Sequence, residues 1–232
     1  MSFSKKIAWN KQNALQFICL CTFVVCVAGM STGTGCSKPI SIRKPPLEKT
    51  WACDIAGDDA MKRGDYHAAL LPHKRLLERD PDNALALYHL GYAYGQTGNH
   101  QIEVLYYEKA LALGFTKDSI FFNLGMAYGE LNQTEQSLKA FKKAVSLDPD
   151  NADNHFGLAL SYQRRLTDEL AEAEFLKAIE IDPEHVDARL YLSLLYTDMG
   201  ELQKAGRQLR KILEIDPNHV AARDFLERIE KE

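Results

Sequence analysis

Residues 118–151 read DSIFFNLGMAYGELNQTEQSLKAFKKAVSLDPDN. Two apolar stretches of helical period are separated by a polar turn, and Asp148-Pro149 closes the block, so it predicts a helical hairpin. The same block recurs on both sides. Gly125 aligns with Gly57, Gly91, Ala159 and Ser193 at a constant spacing of 34 residues. That spacing also aligns Tyr128 with Ala60, Tyr94, Tyr162 and Tyr196, and Pro149 with Pro81, Phe115, Pro183 and Pro217. Turn signals such as Arg63-Gly64-Asp65, Thr97-Gly98-Asn99 and Met199-Gly200-Glu201 divide each unit in two. Asp80-Pro81, Asp148-Pro149, Asp182-Pro183 and Asp216-Pro217 end the second helices, because the residue before proline is pushed out of the helical region.

Unit three carries Leu124-Gly125, Tyr128, Phe141, Ala144 and Pro149, and unit four carries Leu158-Ala159, Tyr162, Ala171, Phe175, Ala178 and Pro183. This pattern resembles the tetratricopeptide repeat (TPR). The resemblance covers residues 50–219 and implies an all-α fold: an α-solenoid of five TPR helical hairpins (50–83, 84–117, 118–151, 152–185, 186–219) with a capping helix over 220–232. A small residue at the eighth position lets helices approach, while aromatics at the eleventh and twenty-fourth fill the space between hairpins. Unit one departs from the pattern with Ala60, His73 and a Pro72 inside its second helix, so a kinked, looser first hairpin is expected. Unit two departs with Glu103 at the small-residue position, read as snorkelling at the hairpin edge, and Phe115 at the proline position.

In this family the first helices line a concave groove. Mapping its groove offsets here gives Tyr88, Tyr92, Phe122, Met126, Phe156 and Leu160, with Tyr191 and Leu194 continuing the stripe in unit five. An exposed apolar stripe of this size marks a binding site, and aromatics are favoured anchors; the alternative is that these residues pack locally. Gly95 and Gly129, at the twelfth position, are expected to open the wall to an extended peptide or a partner helix, with Gln163 and Arg164 beside Glu130 and Asp198 as a polar rim. The resemblance thus implies other proteins as partners, a second copy of the chain being the rival occupant. The clamp of the chaperone-tail adaptors is set aside, because unit one offers Asp54 and Asp58 where a terminal carboxylate would need Lys and Asn.

The N-terminus has a different character. Seven basic residues and one Glu give residues 1–49 a charge of +6, which leaves −10 for the rest of a chain whose total is −4. An acidic body argues against nucleic acid, whose phosphates need a basic face. Lys5, Lys6 and Lys11 precede the apolar run Ala14 to Met30 and the small residues Ser31 to Gly35, the layout of an export signal over residues 1–35. Gly33-Thr34-Gly35-Cys36 resembles the lipobox of bacterial lipoproteins, which makes Cys36 the lipidation candidate. Gly33 departs from the bulky apolar residue preferred there, and an ordinary cleaved signal or an uncleaved anchor are the alternatives. Pro39, Pro45 and Pro46 among basic residues make 36–49 an extended tether, with Leu47 to Trp51 folding back over unit one as an alternative. The expected place is a bacterial envelope, with the repeats on the periplasmic or outer side.

A search for chemistry finds little. Gly29-Met30-Ser31-Thr32-Gly33 fits G-x-S-x-G but follows an export-signal run where a strand belongs. The seven histidines show no HExxH or i, i+4 pair and read as surface or packing residues, Cys53 reads as a small buried hydrophobe, and no metal or cofactor is expected. The reading is therefore a non-catalytic, membrane-tethered scaffold or assembly factor, with a self-associating module or an accessory subunit of an envelope enzyme complex as the alternatives.

Overall fold

The computed structural model describes residues 54–231. Residues 1–49, on which the export-signal, lipidation and tether readings fall, lie outside the described residues, as do Trp51 and Cys53. Among those described there are eleven helices and no strand: α1 (Ile55–Lys62), α2 (Tyr66–Arg79), α3 (Ala84–Gln96), α4 (His100–Ala112), α5 (Asp118–Glu130), α6 (Thr134–Leu147), α7 (Ala152–Arg164), α8 (Asp168–Ile181), α9 (Val186–Asp198), α10 (Leu202–Ile215) and α11 (Val220–Ile229). Each helix packs against the next, and the first helices α3, α5 and α7 also meet in succession. This is the α-solenoid: α1/α2 to α9/α10 are five hairpins, and α11 follows as a single helix. A hairpin buries its apolar face only by stacking on a neighbour, so stability is shared along the array. The last helix shows the consequence. Ala222, Phe225 and Ile229 are buried in one cluster with Leu209 and Ile212, whereas Arg223, Asp224, Glu227 and Arg228 stay exposed.

The hairpin turns share one device. Gly64, Gly98, Asn132, Leu166 and Gly200 occupy the same position of successive units, and all have φ between 58° and 78°. Leu166 adopts this left-handed conformation at φ 59° with its side chain exposed, a geometry that costs an ordinary residue roughly 1–2 kcal/mol. At the other end of each unit, Asp80, Asp148, Asp182 and Asp216 cap the second helices with ψ between 82° and 97°, as the following prolines require. Unit two ends differently. Gly114 turns the chain at φ 92°, which frees Phe115 to be buried and to stack on Tyr88 with ring centres 4.9 Å apart.

The first hairpin differs from its neighbours mainly in α1, which has eight residues where the other hairpins' first helices have thirteen. Asp54 caps it by accepting a hydrogen bond from the Gly57 amide at 3.0 Å. Helix α2 continues through Pro72, so the proline removes a backbone donor without ending the helix.

Candidate functional site

The ring at the twenty-fourth position organises each junction between units. His73, Tyr107 and Phe141 lie against Gly57, Gly91 and Gly125, where an added Cβ would come within 2.7 Å of the ring or closer. Phe141 also lies against Gly157 of the next unit, where a Cβ would come to 2.2 Å. Glycine at these points is a packing requirement, since no larger residue leaves room for the ring.

The apolar stripe splits into two rows around this core. At the fifth position, Tyr88 stacks on Phe115, and its hydroxyl accepts a hydrogen bond from Asn123 Nδ2 at 3.2 Å. Phe122 meets Phe141 edge-on at 5.6 Å, and Phe156 meets Phe175 at 6.0 Å and Tyr191 at 5.5 Å. Unit five places Leu190, not Tyr191, at the fifth position; Tyr191 stands one residue further on and lies against Phe175. Tyr88 through Asn123, and Phe156 and Phe175 through Tyr191, therefore join one unit to the next, while the Phe122 contact stays within unit three. At the ninth position, Tyr92, Met126, Leu160 and Leu194 are half-buried, one from each first helix of units two to five.

The glycine openings expected at the twelfth position are filled from within. A Cβ at Gly95 would come within 2.4 Å of the Glu103 carboxylate, which occupies that space. Glu103 therefore does not snorkel: it is buried, and its carboxylate bonds His100 Nδ1 at 2.9 Å. The space beside Gly129 faces the Arg164 guanidinium, and Arg164 Nη1 donates to the Gly129 carbonyl at 2.6 Å. Arg164 is thus a clasp between units three and four, while Gln163 beside it is half-buried. Asp198 lies near Asp168, and burial first, then that charge, holds its carboxyl above the ordinary range.

The electrostatics of the Glu103 pair have a testable consequence. Burial pushes the Glu103 carboxyl above its ordinary 4.5, and the hydrogen bond to Glu103 pushes His100 above its ordinary 6.5. Both groups hold protons more tightly folded than unfolded, so their stabilisation is full below the unfolded values and is lost as pH rises through the folded ones. Relative to Glu103→Gln, the wild type is expected to lose stability between about pH 5 and pH 8, read as urea midpoints. A wild-type advantage that grows with pH would contradict this.

Acids and histidines elsewhere serve mostly within the stack. Tyr128 donates to Glu108 at 3.0 Å and Tyr196 to Glu172 at 2.7 Å, so these two eleventh-position tyrosines reach back to the preceding unit. His185 and His219 cap α9 and α11 by accepting from the Ala188 and Ala222 amides. His73 and His89 instead meet with ring centres 4.9 Å apart, beside Asp58. Burial pushes His73 down to about 4 against the opposing pull of Asp58.

Known proteins place this architecture. Models of the tetratricopeptide repeat match residues 56–114 and 167–229, and a further TPR-repeat model matches 127–165. The chain belongs to the tetratricopeptide-repeat family, whose fold is a scaffold for protein–protein interaction. Among solved structures, MamA is similar at 26% identity and TM-score 0.63 over 73% of this chain and 99% of its own. A thermophilic TPR protein of Thermus thermophilus, TTC0263, is similar at 25% identity and TM-score 0.64, over 76% and 96%. YrrB, a TPR protein with an unusual peptide-binding site, shares the fold at 24% identity and TM-score 0.61, over 74% and 88%. No curated protein sequence matches this chain.

Proposed function

We propose that this protein is a non-catalytic interaction scaffold or assembly factor, tethered through its N-terminus to a bacterial envelope membrane with the repeats on the periplasmic or outer side. It takes a peptide or helix of a partner protein along its first helices. The ninth-position row carries this reading: Tyr92, Met126, Leu160 and Leu194 place one half-buried apolar side chain on each of four successive first helices. Apolar side chains repeated at the spacing of the units suit an extended or helical ligand that contacts several units at once. Tyr88 and Phe156, already held by contacts to the next unit, lose little freedom when a ligand lands beside them.

The test compares proteins captured from native membranes by the full-length chain and by Met126→Gln/Leu160→Gln, with circular dichroism confirming that both are folded. A partner retained by the wild type and lost by the variant supports the row as the site, whereas identical capture by both removes it. A second copy as the occupant would instead show as a mass that rises with concentration and that the same variant abolishes. The tether has a separate test: Cys36→Ala is expected to abolish acyl labelling and release the protein from membranes, and unchanged labelling and retention would remove that part.

A further inference from the structure

We propose that Asp58, His73 and His89 form a binding site for one divalent first-row transition-metal ion of the zinc class, at the junction of the first two hairpins. The three residues come from three helices, α1, α2 and α3. Asp58 Oδ1 lies 3.0 Å from His89 Nδ1 and 3.8 Å from His73 Nε2, and one ligand atom from each residue falls within 4.8 Å of the other two. Metal bonds of about 2.0–2.1 Å at tetrahedral angles hold ligand atoms about 3.3 Å apart, so the two Asp58 distances bracket that value.

The repeat supplies its own comparison. Asp58, His73 and His89 stand at the ninth and twenty-fourth positions of unit one and the sixth of unit two. The same positions hold Tyr92, Tyr107 and Asn123 at the next junction, then Met126, Phe141 and Gly157, then Leu160, Phe175 and Tyr191. At the fourth junction two rings also meet at these positions, Phe175 and Tyr191, with centres 6.4 Å apart against 4.9 Å for His73 and His89. Packing is thus served by plain aromatic rings, and three metal-ligating side chains coincide at the first junction alone of these four.

His73 adds an independent observation. It is fully buried, and neither ring nitrogen has a hydrogen-bond partner. A buried polar atom left without a partner is costly, and metal coordination through Nε2 would satisfy one of the two. His155, also buried, engages Glu174 and the Pro149 carbonyl through its two ring nitrogens. The chemistry of the donors selects the ion. Two imidazole nitrogens and one carboxylate oxygen suit Zn(II) and its neighbours, whereas Ca(II) and Mg(II) favour oxygen ligands. The Asp58 and His89 side chains are 22% and 20% exposed, so the cluster lies close to the surface although Asp58 Oδ1 itself is buried. Because the ligands sit on three helices, the bound ion would pin the short α1 to its neighbours, and binding would couple to folding.

The test uses the full-length chain stripped with a chelator and titrated with zinc chloride by calorimetry and with cobalt(II) chloride by visible absorption. One ion per chain is expected, with cobalt bands of a low-coordinate nitrogen and oxygen site and a rise in Tm on adding zinc. His73→Phe and His89→Asn install the residues that unit three uses at the same positions, and each is expected to weaken zinc binding at least a hundredfold. His67→Asn, which changes an exposed histidine of the same hairpin, is expected to bind as the wild type does. Absence of binding by the wild type, or equally tight binding by the two ligand variants, would overturn the site. Should His73→Phe fail to fold, His89→Asn alone decides, since its side chain is only partly buried.

Discussion

Phe141→Ala is expected to destabilise the repeat array by about 3–5 kcal/mol, the usual cost of truncating a buried aromatic. Phe141 is 2% exposed, and its ring is held between Gly125 of its own unit and Gly157 of the next, with Phe122 on its edge. Removing the ring leaves a void bounded on two sides by glycine backbone, which offers no side chain to collapse into it. The loss falls between units three and four, in the middle of the stack, so it separates the two halves of the array and does more than weaken one hairpin. Urea unfolding checks this: a shift of less than about 1 kcal/mol would mean that the junction does not depend on the ring.

Gly157→Val tests the same contact from the opposite side. The Cβ alone would lie 2.2 Å from Phe141 Cε1 and 2.5 Å from Cδ1. The ring is enclosed, so the helices must separate, and a loss of about 1–3 kcal/mol or more is expected despite valine's better helix propensity. Gly206→Ala is the control within a helix. Its Cβ meets nothing closer than 3.5 Å, so the substitution is expected to gain about 0.5–1 kcal/mol through reduced backbone freedom. Thermal melts of the two variants should move in opposite directions, and parallel shifts would refute the packing role assigned to Gly157.

These two predictions rest on features that the sequence displays openly. The period of 34 residues is visible because a ring at the twenty-fourth position faces a small residue at the eighth in units one to four, and such matching shows as alignment. What escaped was compensation between positions. Glycine at the twelfth position reads as open space, yet Glu103 fills the gap at Gly95 and Arg164 clasps Gly129. Glu103 and Gly95 are one paired departure from the pattern, and either residue read alone misleads. The Asp58, His73 and His89 cluster was hidden for another reason: its members stand 15 and 16 residues apart, outside any helical spacing, and they meet only through the register between units. The signal available was His73 itself, an imidazole with metal-ligating nitrogens where the other units place Tyr107, Phe141 and Phe175. The start of α1 at Ile55 is likewise a matter of the Asp54 cap, a local bond that the repeat period does not specify.

Partner binding along the ninth-position row is tested most directly by site-specific photo-crosslinking in intact cells. A photoreactive residue at position 126, on first helix α5, is compared with one at position 139, exposed on second helix α6. A defined cross-linked partner is expected from position 126 and none from position 139, with the product lost when Leu160→Gln is added. Cross-linking from position 139 alone, or a product from position 126 that Leu160→Gln leaves intact, would contradict it.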